Sequence, residues 1–378
     1  MMKNSKQVSL YAYLGFLLSV LAYVIIQLYI KSKLPQVRWT ASDWLINYED
    51  GGFKRRGLSG SFMFFIQDQL NISLQVQIFC IQTFFFGLIF YFLIRIILTK
   101  KLTWDILLLI CSPLCILYLP VSIFNSGRKE IILLALVLFF ANGKPTEFKK
   151  YFLLIGYVFG LFLHELFYFY LPFVVAVYIL KTNKIDLKYF ASLFLLSTSV
   201  MILLYYCGGE INQGRSIEIL RDRGIEFNKW NIFTYDAVKE RKDMLFAYQS
   251  YILFALELFF MTFLSFTFIK KRLPQYKNTF KLFIVISLIW VSPLYYLGAD
   301  WFRWNHIYSL LLIILLILAL SNNDEKEVYI KGSFNIALFI VIILFFIVFY
   351  LHIQYDSSGN SKKYLIQFIE NKLHLKNI

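Results

Sequence analysis

The sequence predicts an all-α, polytopic integral membrane protein with about 11 transmembrane helices plus interfacial amphipathic helices. Of the 378 residues, 59% are hydrophobic and only 16% are charged, whereas soluble domains carry roughly 25% charged residues. Long apolar runs recur from Leu10 to Ile353. Segments that cross a bilayer must satisfy their own backbone polar groups, and helices do so. The alternating apolar and polar residues of an outer-membrane barrel are absent.

The predicted spans are separated mostly by short polar loops. They cover residues 10–30 and 75–98, two short spans within 106–141, two within 151–180, and then 189–206, 247–269, 280–297, 307–320 and 335–353. Residues 151–180 are long enough for one tilted helix or for two short helices broken near His164 and Glu165. Pro172 would then occupy the first turn of the second helix. We predict two, because a single span would place the basic loop 270–281 outside.

We expect one transmembrane domain over residues 1–353, with outer loops at about 31–74 and 208–246 and an amphipathic C-terminal tail at 354–378. Residues 61–70 are too few to cross and are predicted to lie in the interface. The short loops at 100–101, 144–150, 181–188, 270–281 and 326–331 are basic and share one side. By the positive-inside rule, this predicts a multi-pass protein of the bacterial inner membrane with a cytoplasmic N-terminus. Lys3 and Lys6 precede a full-length span, so we expect no cleavable signal peptide.

The net charge of +15 sits largely in loops, so we attribute it to topology and to contact with membrane lipids, not nucleic acid. Cysteines lie within or at the end of apolar segments with no metal-ligand spacing, and we interpret them as membrane-buried fillers. These residues are Cys80, Cys111, Cys115 and Cys207. The chain shows neither a phosphate loop nor a dinucleotide fingerprint. We therefore expect no metal and no cofactor.

Most conspicuous polar clusters fall on one outer face in this topology. They comprise Asp43, Glu49, Asp50, Lys54, Arg55, Arg56, Arg128, Lys129, Glu130, His164, Glu165, Arg215, Arg221, Arg223, Arg241, Asp300 and Arg303. Arginines at a membrane boundary suit a lipid-linked phosphate or pyrophosphate, because the guanidinium group stays ionised and matches phosphate geometry. A neighbouring carboxylate or histidine could deprotonate an acceptor hydroxyl. The shared face is the main functional inference from the sequence.

Each cluster also has a structural interpretation. The run from Tyr48 to Gly57 could be a solvated loop, and Glu130 could simply favour a helix start. His164 and Glu165 could form a buried structural pair, although ionisable groups at membrane depth are usually functional. Asp300 and Arg303 would pair within one helix. Trp301 and Trp304 fit an interfacial aromatic belt, the commoner case, or a sugar-stacking platform. The 208–246 loop could be a lid or a solvated connector.

The chain resembles the O-antigen polymerases, the Wzy-like family of bacterial polytopic membrane proteins. The resemblance lies in the number of spans, the heavy use of Phe, Tyr, Ile and Leu, and the large outer loop with several arginines. Gly127-Arg128-Lys129-Glu130 and Asp300-Trp301-Phe302-Arg303-Trp304 are similar to short polar signatures of such polymerases. The family implies metal-independent transfer of a glycan from undecaprenyl pyrophosphate to a hydroxyl of an incoming lipid-linked repeat unit, at the periplasmic face.

On that basis we predict a glycosyltransferase that polymerises O-antigen or capsule-type polysaccharide. Expected partners are the lipid-linked oligosaccharide substrate, membrane lipids, a chain-length regulator and other polysaccharide-assembly proteins. Arg55, Arg56, Arg128 and Arg303 are predicted to bind pyrophosphate, and Arg215 and Arg223 to guide the glycan. The catalytic base is predicted to be Glu165 or His164, followed by Asp50 or Asp300.

Two alternatives remain from the sequence. The layout also resembles multi-spanning GT-C-type glycosyltransferases, which use a polyprenyl-phosphate sugar and place a catalytic acid in the first outer loop, ahead of interfacial helices. Asp43, Glu49 or Asp50 followed by residues 61–70 matches that layout, without a clear Asp-x-Asp. A flippase for lipid-linked oligosaccharides would instead favour internal repeats and charges at mid-membrane depth, and neither is evident.

Overall fold

The computed structural model describes residues 2–122, 126–209, 211, 213–227, 231–234, 248–298, 300–322, 330 and 333–357. Its helices are α1 (Met2–Ser32), α2 (Trp39–Trp44), α3 (Gly57–Leu70), α4 (Leu74–Leu98), α5 (Trp104–Ile110), α6 (Tyr118–Val121), α7 (Glu130–Ala141), α8 (Glu147–Leu163), α9 (Leu171–Thr182), α10 (Leu187–Cys207), α11 (Gln213–Asp222), α12 (Tyr248–Arg272), α13 (Lys277–Leu297), α14 (Trp301–Ala319) and α15 (Ile336–Ser357). Short 3-10 helices cover Glu165–Tyr170, Ile232–Thr234 and Pro274–Tyr276, and the strands are β1 (Gln36–Val37) and β2 (Glu226–Phe227).

Within the described residues, seven helical segments are long and apolar enough to cross a membrane. They are Val8–Ser32, Leu74–Leu98, Glu165–Thr182, Leu187–Cys207, Ile252–Arg272, Pro274–Tyr296 and Trp301–Ala319. The all-α membrane class is therefore supported, but seven is fewer than the predicted number of spans. The largest difference lies in residues 106–141. There the chain forms helices of 7, 4 and 12 residues, and a crossing helix needs roughly 20.

The predicted break near His164 is confirmed. α8 ends at Leu163, His164 is extended (φ −159°, ψ 116°), and a 3-10 helix leads into α9 with Pro172 in its first turn. The Phe167 ring of that 3-10 helix lies against Gly160, where an added Cβ would come within 2.3 Å of the ring. The small glycine side chain therefore permits the fold-back that brings Glu165 toward the site.

The basic short loops gather at one end of the helix bundle, which we call the lysine end. Lys100 Nζ donates to the carbonyl oxygens of Leu318 and Leu320 at the end of α14, each at 2.9 Å. Lys181 lies within electrostatic range of Lys100 and Lys149. This arrangement places several of the predicted basic loops on one side; residues 326–329 and 331 of the last loop lie outside the described residues.

The two predicted outer loops meet at the opposite end, which we call the loop end. β1 pairs in parallel with β2, the amide of Gly209 donates to the Phe53 carbonyl at 3.0 Å, and the amide of Ile232 donates to Ser42 Oγ at 3.0 Å. The described parts of the two loops are thus joined by backbone hydrogen bonds. Arg241 and the tail residues 358–378 lie outside the described residues.

α14 is the central helix of the bundle. In its most apolar stretch of 18 residues, 94% are buried inside the protein. α14 contacts α12, α9 and α7. A helix that is hydrophobic all round is suited to this central place. Its N-terminus lies at the loop end, where Arg303 contacts Glu130 and Asp300.

α3 has one buried and one exposed apolar side. Met63 and Phe64 are buried, whereas Phe62 and Phe65 are exposed. Gly60 lets the helix approach the first loop closely, because an added Cβ would lie 2.3 Å from the Ile46 carbonyl oxygen. The exposed aromatic side suits the predicted interfacial position of this helix, which stays a prediction.

Candidate functional site

Nine polar side chains from separate segments converge at the loop end, and we call them the charged cluster. They are four carboxylates, four cations and one histidine: Asp43, Glu130, Glu165, Asp300, Arg56, Arg128, Lys129, Arg303 and His164. Six of them are almost fully buried. Buried charges are costly unless paired, so equal numbers of acids and cations are what such a site requires.

Asp43 occupies the buried side of the cluster. It lies on the short helix α2, which is held in place by Trp44 Nε1 donating to the Gly127 carbonyl at 2.9 Å. Asp43 Oδ1 accepts a long hydrogen bond from Arg56 Nη1 at 3.4 Å, and in the described structure Oδ2 is buried without a hydrogen-bond partner. Burial opposes ionisation, but the charges of Lys129 and Arg56 outweigh it and hold the pKa of Asp43 below its usual range. Asp43 is therefore an ionised carboxylate with one oxygen available.

Arg56 connects the first loop to the break between α8 and α9. Its Nε donates to both Glu165 oxygens, at 3.0 and 2.8 Å. The Arg56 backbone is left-handed (φ 64°), a conformation that is uncommon for a non-glycine residue and recurs at functional sites. Lys129 Nζ supports that conformation by donating to the Arg56 carbonyl at 3.0 Å. The hydrogen bond from Lys129 holds the Arg56 backbone, and the bidentate pair with Glu165 holds the guanidinium group.

Arg303 and Arg128 form a second network with two acids. Arg303 donates to Glu130, and its Nη2 lies 2.8 Å from Asp300 Oδ2. Arg128 Nη1 reaches the same Asp300 oxygen at 3.1 Å. The predicted pairing of Asp300 with Arg303 within one turn is thereby confirmed. The Nε groups of both arginines are buried without a partner in the described structure, so each retains a donor.

His164 lies between the two networks. Its Nδ1 accepts a hydrogen bond from the Leu166 amide at 3.2 Å, so in the neutral ring the proton is on Nε2. Nε2 is buried without a hydrogen-bond partner in the described structure and lies 3.6 Å from Glu130 Oε1. Because the Nδ1 lone pair already accepts a hydrogen bond from the Leu166 amide, neutral His164 is suited to donate a hydrogen bond from Nε2 and not to accept a proton.

The cluster opens to its surroundings through three members. The side chains of Arg56, Glu165 and Asp300 are 23%, 18% and 31% exposed, whereas Asp43 and Lys129 are fully buried. Beneath this open side lie the unpartnered groups of Asp43, His164 and the two arginines. The arrangement can bind an anion with guanidinium groups and deprotonate a hydroxyl with a carboxylate.

The structure brings together six of the ten predicted site residues: Arg56, Arg128, Arg303, His164, Glu165 and Asp300. The other four lie elsewhere at the loop end. Asp50 is buried, forms an ion pair with Lys54 and accepts a hydrogen bond from the Ser216 hydroxyl. Arg55 is exposed beside Gly208, Arg215 is exposed on α11, and Arg223 contacts other acids. The predicted role of Asp50 as a base and the predicted roles of the three arginines in binding stay predictions.

Trp304 contradicts both interpretations drawn from the sequence. It is buried, with its ring 5.6 Å from that of Tyr295 at an interplanar angle of 90°. Trp301 is half-buried, and its Nε1 donates to the Tyr295 carbonyl at 2.9 Å. A side chain enclosed in this way belongs to neither an exposed aromatic belt nor an open sugar platform.

Three cluster members are absent from the predicted site. The sequence offers Asp43 only as an alternative acid, suits Glu130 to a helix start and assigns no role to Lys129. The sequence signal for Asp43 is its place next to Trp44 in a loop between two apolar runs. Because an ionised acid near the membrane is costly when unpaired, an acid at this position indicates a buried cationic partner.

Arg223, which directly follows α11, links that part of the chain to Glu49 and Asp68. Its guanidinium group contacts Asp68 at 2.7 Å and Glu49 at 3.1 Å and lies 4.1 Å from the centre of the Phe64 ring. Since exposed ion pairs and cation–π contacts are individually weak, we expect Arg223→Ala to lower the free energy of unfolding by about 1–2 kcal/mol. Thermal unfolding and limited proteolysis would measure the loss. The neighbouring exposed Arg221→Ala is the control, and equal effects would contradict the assignment.

The buried Lys129 side chain makes the free energy of unfolding depend on pH in the alkaline range. Burial lowers its pKa from 10.5 to about 8. Between these values the unfolded chain binds more protons than the folded one, so raising the pH favours folding. Relative to Lys129→Met, the wild-type protein should gain up to about 1.4 kcal/mol per pH unit above pH 8. Thermal unfolding at pH 7.5 and 9.5 would measure this gain, and an identical pH dependence in both proteins would contradict it.

Comparison of the chain with protein-family models, with curated proteins and with solved structures finds no match.

Proposed function

We propose that this protein polymerises lipid-linked oligosaccharide repeat units, transferring a glycan from undecaprenyl pyrophosphate to a hydroxyl of a second lipid-linked unit. The observation that carries the proposal is the unpartnered, buried Oδ2 of ionised Asp43 amid arginines and a lysine. An ionised carboxylate with an oxygen free of hydrogen bonds can accept the proton of a hydroxyl, and departure of a pyrophosphate needs nearby cations. Asp43 and the arginines meet both needs in one place.

In the proposed step, Asp43 removes the proton of the acceptor hydroxyl as its oxygen attacks the anomeric carbon of the donor glycan. The new glycosidic C–O bond forms while the bond between the anomeric carbon and the pyrophosphate oxygen breaks. The electron pair leaves with the lipid pyrophosphate, whose developing charge the guanidinium groups stabilise. The proton on Asp43 then passes to solvent.

The proposed base differs from the residues favoured by the sequence. Both Glu165 oxygens accept hydrogen bonds from Arg56, so neither oxygen is available to an acceptor hydroxyl. His164 uses the Nδ1 lone pair for the Leu166 amide. Asp300 Oδ2 accepts hydrogen bonds from Arg128 and Arg303. Among these four residues, Asp43 is the one whose carboxylate has a buried oxygen without a hydrogen-bond partner in the described structure, so we assign the base to Asp43.

The arginines are assigned to the phosphate groups. Arg56 lies at the open side, and the unpartnered Nε donors of Arg128 and Arg303 lie deeper. His164 Nε2 adds a neutral donor nearby. A pyrophosphate that enters between them would compete with Asp300 and Glu165 for the same guanidinium groups. Binding would therefore rearrange the present ion pairs.

We further propose about 11 membrane crossings. The seven long segments would be joined by α7, α8, α15 and the broken segment that contains α5 and α6. Support comes from the alternation of chain direction between the loop end and the lysine end. With the lysine end cytoplasmic, the N-terminus is cytoplasmic and the cluster faces the periplasm of the inner membrane.

A second candidate is a GT-C-type glycosyltransferase that uses a polyprenyl-phosphate sugar. Asp43 favours it, because this acid lies in the first outer loop after α1 and ahead of α3, a helix with an exposed aromatic side. The two candidates share the acid and the cations and differ in the donor. A polymerase takes a whole repeat unit on pyrophosphate, whereas this transferase takes one sugar on a monophosphate.

The test is the lipopolysaccharide or capsule profile of a deletion strain, complemented with the wild-type gene or the Asp43→Asn allele. Polymerisation predicts collapse of the long chains to single repeat units, and no rescue by Asp43→Asn. Loss of one sugar from every repeat would indicate the single-sugar transferase. Accumulation of lipid-linked units on the cytoplasmic face alone would indicate a flippase and overturn the proposal.

A further inference from the structure

The 3-10 helix Glu165–Tyr170 lies between two helices that are candidate membrane spans, α10 and α13, and contacts both. Tyr168 joins the three elements. Its hydroxyl is 3.1 Å from Thr198 Oγ1 on α10, and its carbonyl oxygen accepts a hydrogen bond from Trp290 Nε1 on α13 at 2.9 Å. The ring of Phe194 on α10 also lies against Trp290, with 6.2 Å between the ring centres. At this depth, the space between α10 and α13 is therefore filled.

Toward the loop end, the same face of α10 is uncovered. A spacing of four, four and three residues places the following side chains along one face of the helix: Phe194, Thr198, Ile202 and Tyr205. The first two make the contacts with Trp290 and Tyr168, whereas Ile202 is 53% exposed and Tyr205 is 78% exposed. The covered part of this face lies beside the 3-10 helix, and the exposed part lies between that helix and the loop end.

α13 forms the opposite side of this region. Pro293, one turn beyond Trp290, is exposed, and the helices that pack against α13 are chiefly α9 and α12. In the most apolar 18-residue stretches of α10 and of Pro274–Tyr296, only 22% and 28% of the residues are buried. We call the region lined by Ile202, Tyr205 and Pro293 the α10–α13 notch. Because its walls belong to candidate spans, a hydrocarbon chain is the ligand that its surface suits.

Glu165 forms the polar end of the notch. Side chains three residues apart eclipse in a 3-10 helix, so Glu165 stands on the same side as Tyr168, which faces α10 and α13. Glu165 is 18% exposed and accepts hydrogen bonds from Arg56. Gly208, which follows α10, lies beside the first loop, since an added Cβ would be 3.1 Å from Arg55 Cγ. The open side of the charged cluster is thus continuous with the notch.

We propose that the α10–α13 notch binds the first isoprenoid units of the lipid-linked substrate, with the attached phosphate at Arg56. The identity of this lipid rests on the proposed function. A chain attached to a phosphate at Arg56 leaves the cluster through its open side, and the notch is the apolar surface that begins there. A substrate without a chain would leave Ile202 and Tyr205 uncovered. The proposal concerns binding alone and includes no covalent step.

The test is photocrosslinking of the full-length protein in phosphatidylcholine vesicles that contain equal small amounts of undecaprenyl phosphate and phosphatidylglycerol. Benzoylphenylalanine replaces Tyr205 in one protein and Tyr206 in the other, and mass spectrometry identifies the attached lipid. Tyr206 is the matched control, because it is also 78% exposed and is turned about 100° around α10 from Tyr205. We expect undecaprenyl phosphate to label the protein roughly tenfold more at position 205 than at position 206.

A second variant fills the notch without a change of charge. Ile202→Trp is expected to weaken binding of undecaprenyl phosphate roughly tenfold, because the chain loses contact for about two methylene groups. Leu203→Trp is the control, since Leu203 is also exposed and is turned about 100° from Ile202, so it should leave affinity unchanged. Native mass spectrometry of the purified variants measures both affinities.

Equal labelling at the two tyrosine positions, or labelling of position 205 by phosphatidylglycerol as strongly as by undecaprenyl phosphate, would overturn the proposal. Unchanged affinity in Ile202→Trp would overturn it as well. Labelling and affinity are measured without glycan transfer. Failure of these tests beside a polymerisation phenotype would refute this inference alone, whereas selective labelling in a protein without that phenotype would support the notch and refute the proposed polymerase.

Discussion

Asp43→Asn is expected to reduce glycan transfer by roughly 10²–10⁴-fold, the range that a general base contributes. Asn is nearly isosteric but cannot accept a proton from a hydroxyl. The pKa of Asp43 is held below its usual range, so the wild-type carboxylate stays ionised throughout the neutral range. The measurement is chain elongation on lipid-linked repeat units by the purified variant, or the length of surface polysaccharide in a complemented deletion strain.

Folding must be separated from chemistry in this experiment, because Asp43 is buried beside several cations. Thermal unfolding and the yield of membrane-inserted protein provide that check. The matched control is Asp68→Asn, which makes the same chemical change at a carboxylate that is 51% exposed and contacts Arg223. Full activity of a well-folded Asp43→Asn protein would exclude Asp43 as the base.

Arg303→Ala is expected to abolish activity and to lower the free energy of unfolding by about 3–5 kcal/mol, the cost of leaving a buried charge unpaired. Arg303 and Glu130 are both nearly fully buried and in direct contact. Asp300 also accepts from Arg303 at 2.8 Å, so the single change removes a partner from two acids. Thermal unfolding and the elongation assay measure the two losses.

A double variant separates the structural role of Arg303 from phosphate binding. Arg303→Gln combined with Glu130→Gln leaves no unpaired charge between the two positions and keeps their hydrogen-bonding groups. We expect it to recover most of the stability lost in Arg303→Ala without recovering transfer. Recovery of both would mean that Arg303 serves the fold alone.

Arg128→Ala tests whether the two networks form one site. Arg128 shares Asp300 Oδ2 with Arg303 and lies 5.4 Å from the centre of the Trp39 ring. We expect loss of transfer here too, with the protein still inserted in the membrane. If Arg128→Ala and Arg303→Ala were both fully active, the hypothesis of a shared phosphate site would fail.

Sequence by itself determined the features that depend on local hydropathy and short spacing. The helical membrane class follows from apolar runs, the break after α8 follows from the polar pair His164-Glu165 ahead of Pro172, and the pairing of Asp300 with Arg303 follows from their separation by three residues. Each of these is set within one or two turns of helix, where 3.6-residue periodicity and side-chain reach are known in advance. Alternation of the predicted spans also placed the polar loops at one end.

Only the tertiary structure decided which of those polar residues meet. Arg56 and Glu165 are 109 residues apart in the chain, and Arg303 and Glu130 are 173 apart. The sequence favoured Asp50 over Asp43, yet Asp50 is paired with Lys54 while Asp43 enters the cluster. Such contacts depend on which helices are neighbours and on how loops fold over them. Hydrophobic periodicity identifies the buried face of a helix but not its partner, so the composition of the cluster required the fold itself.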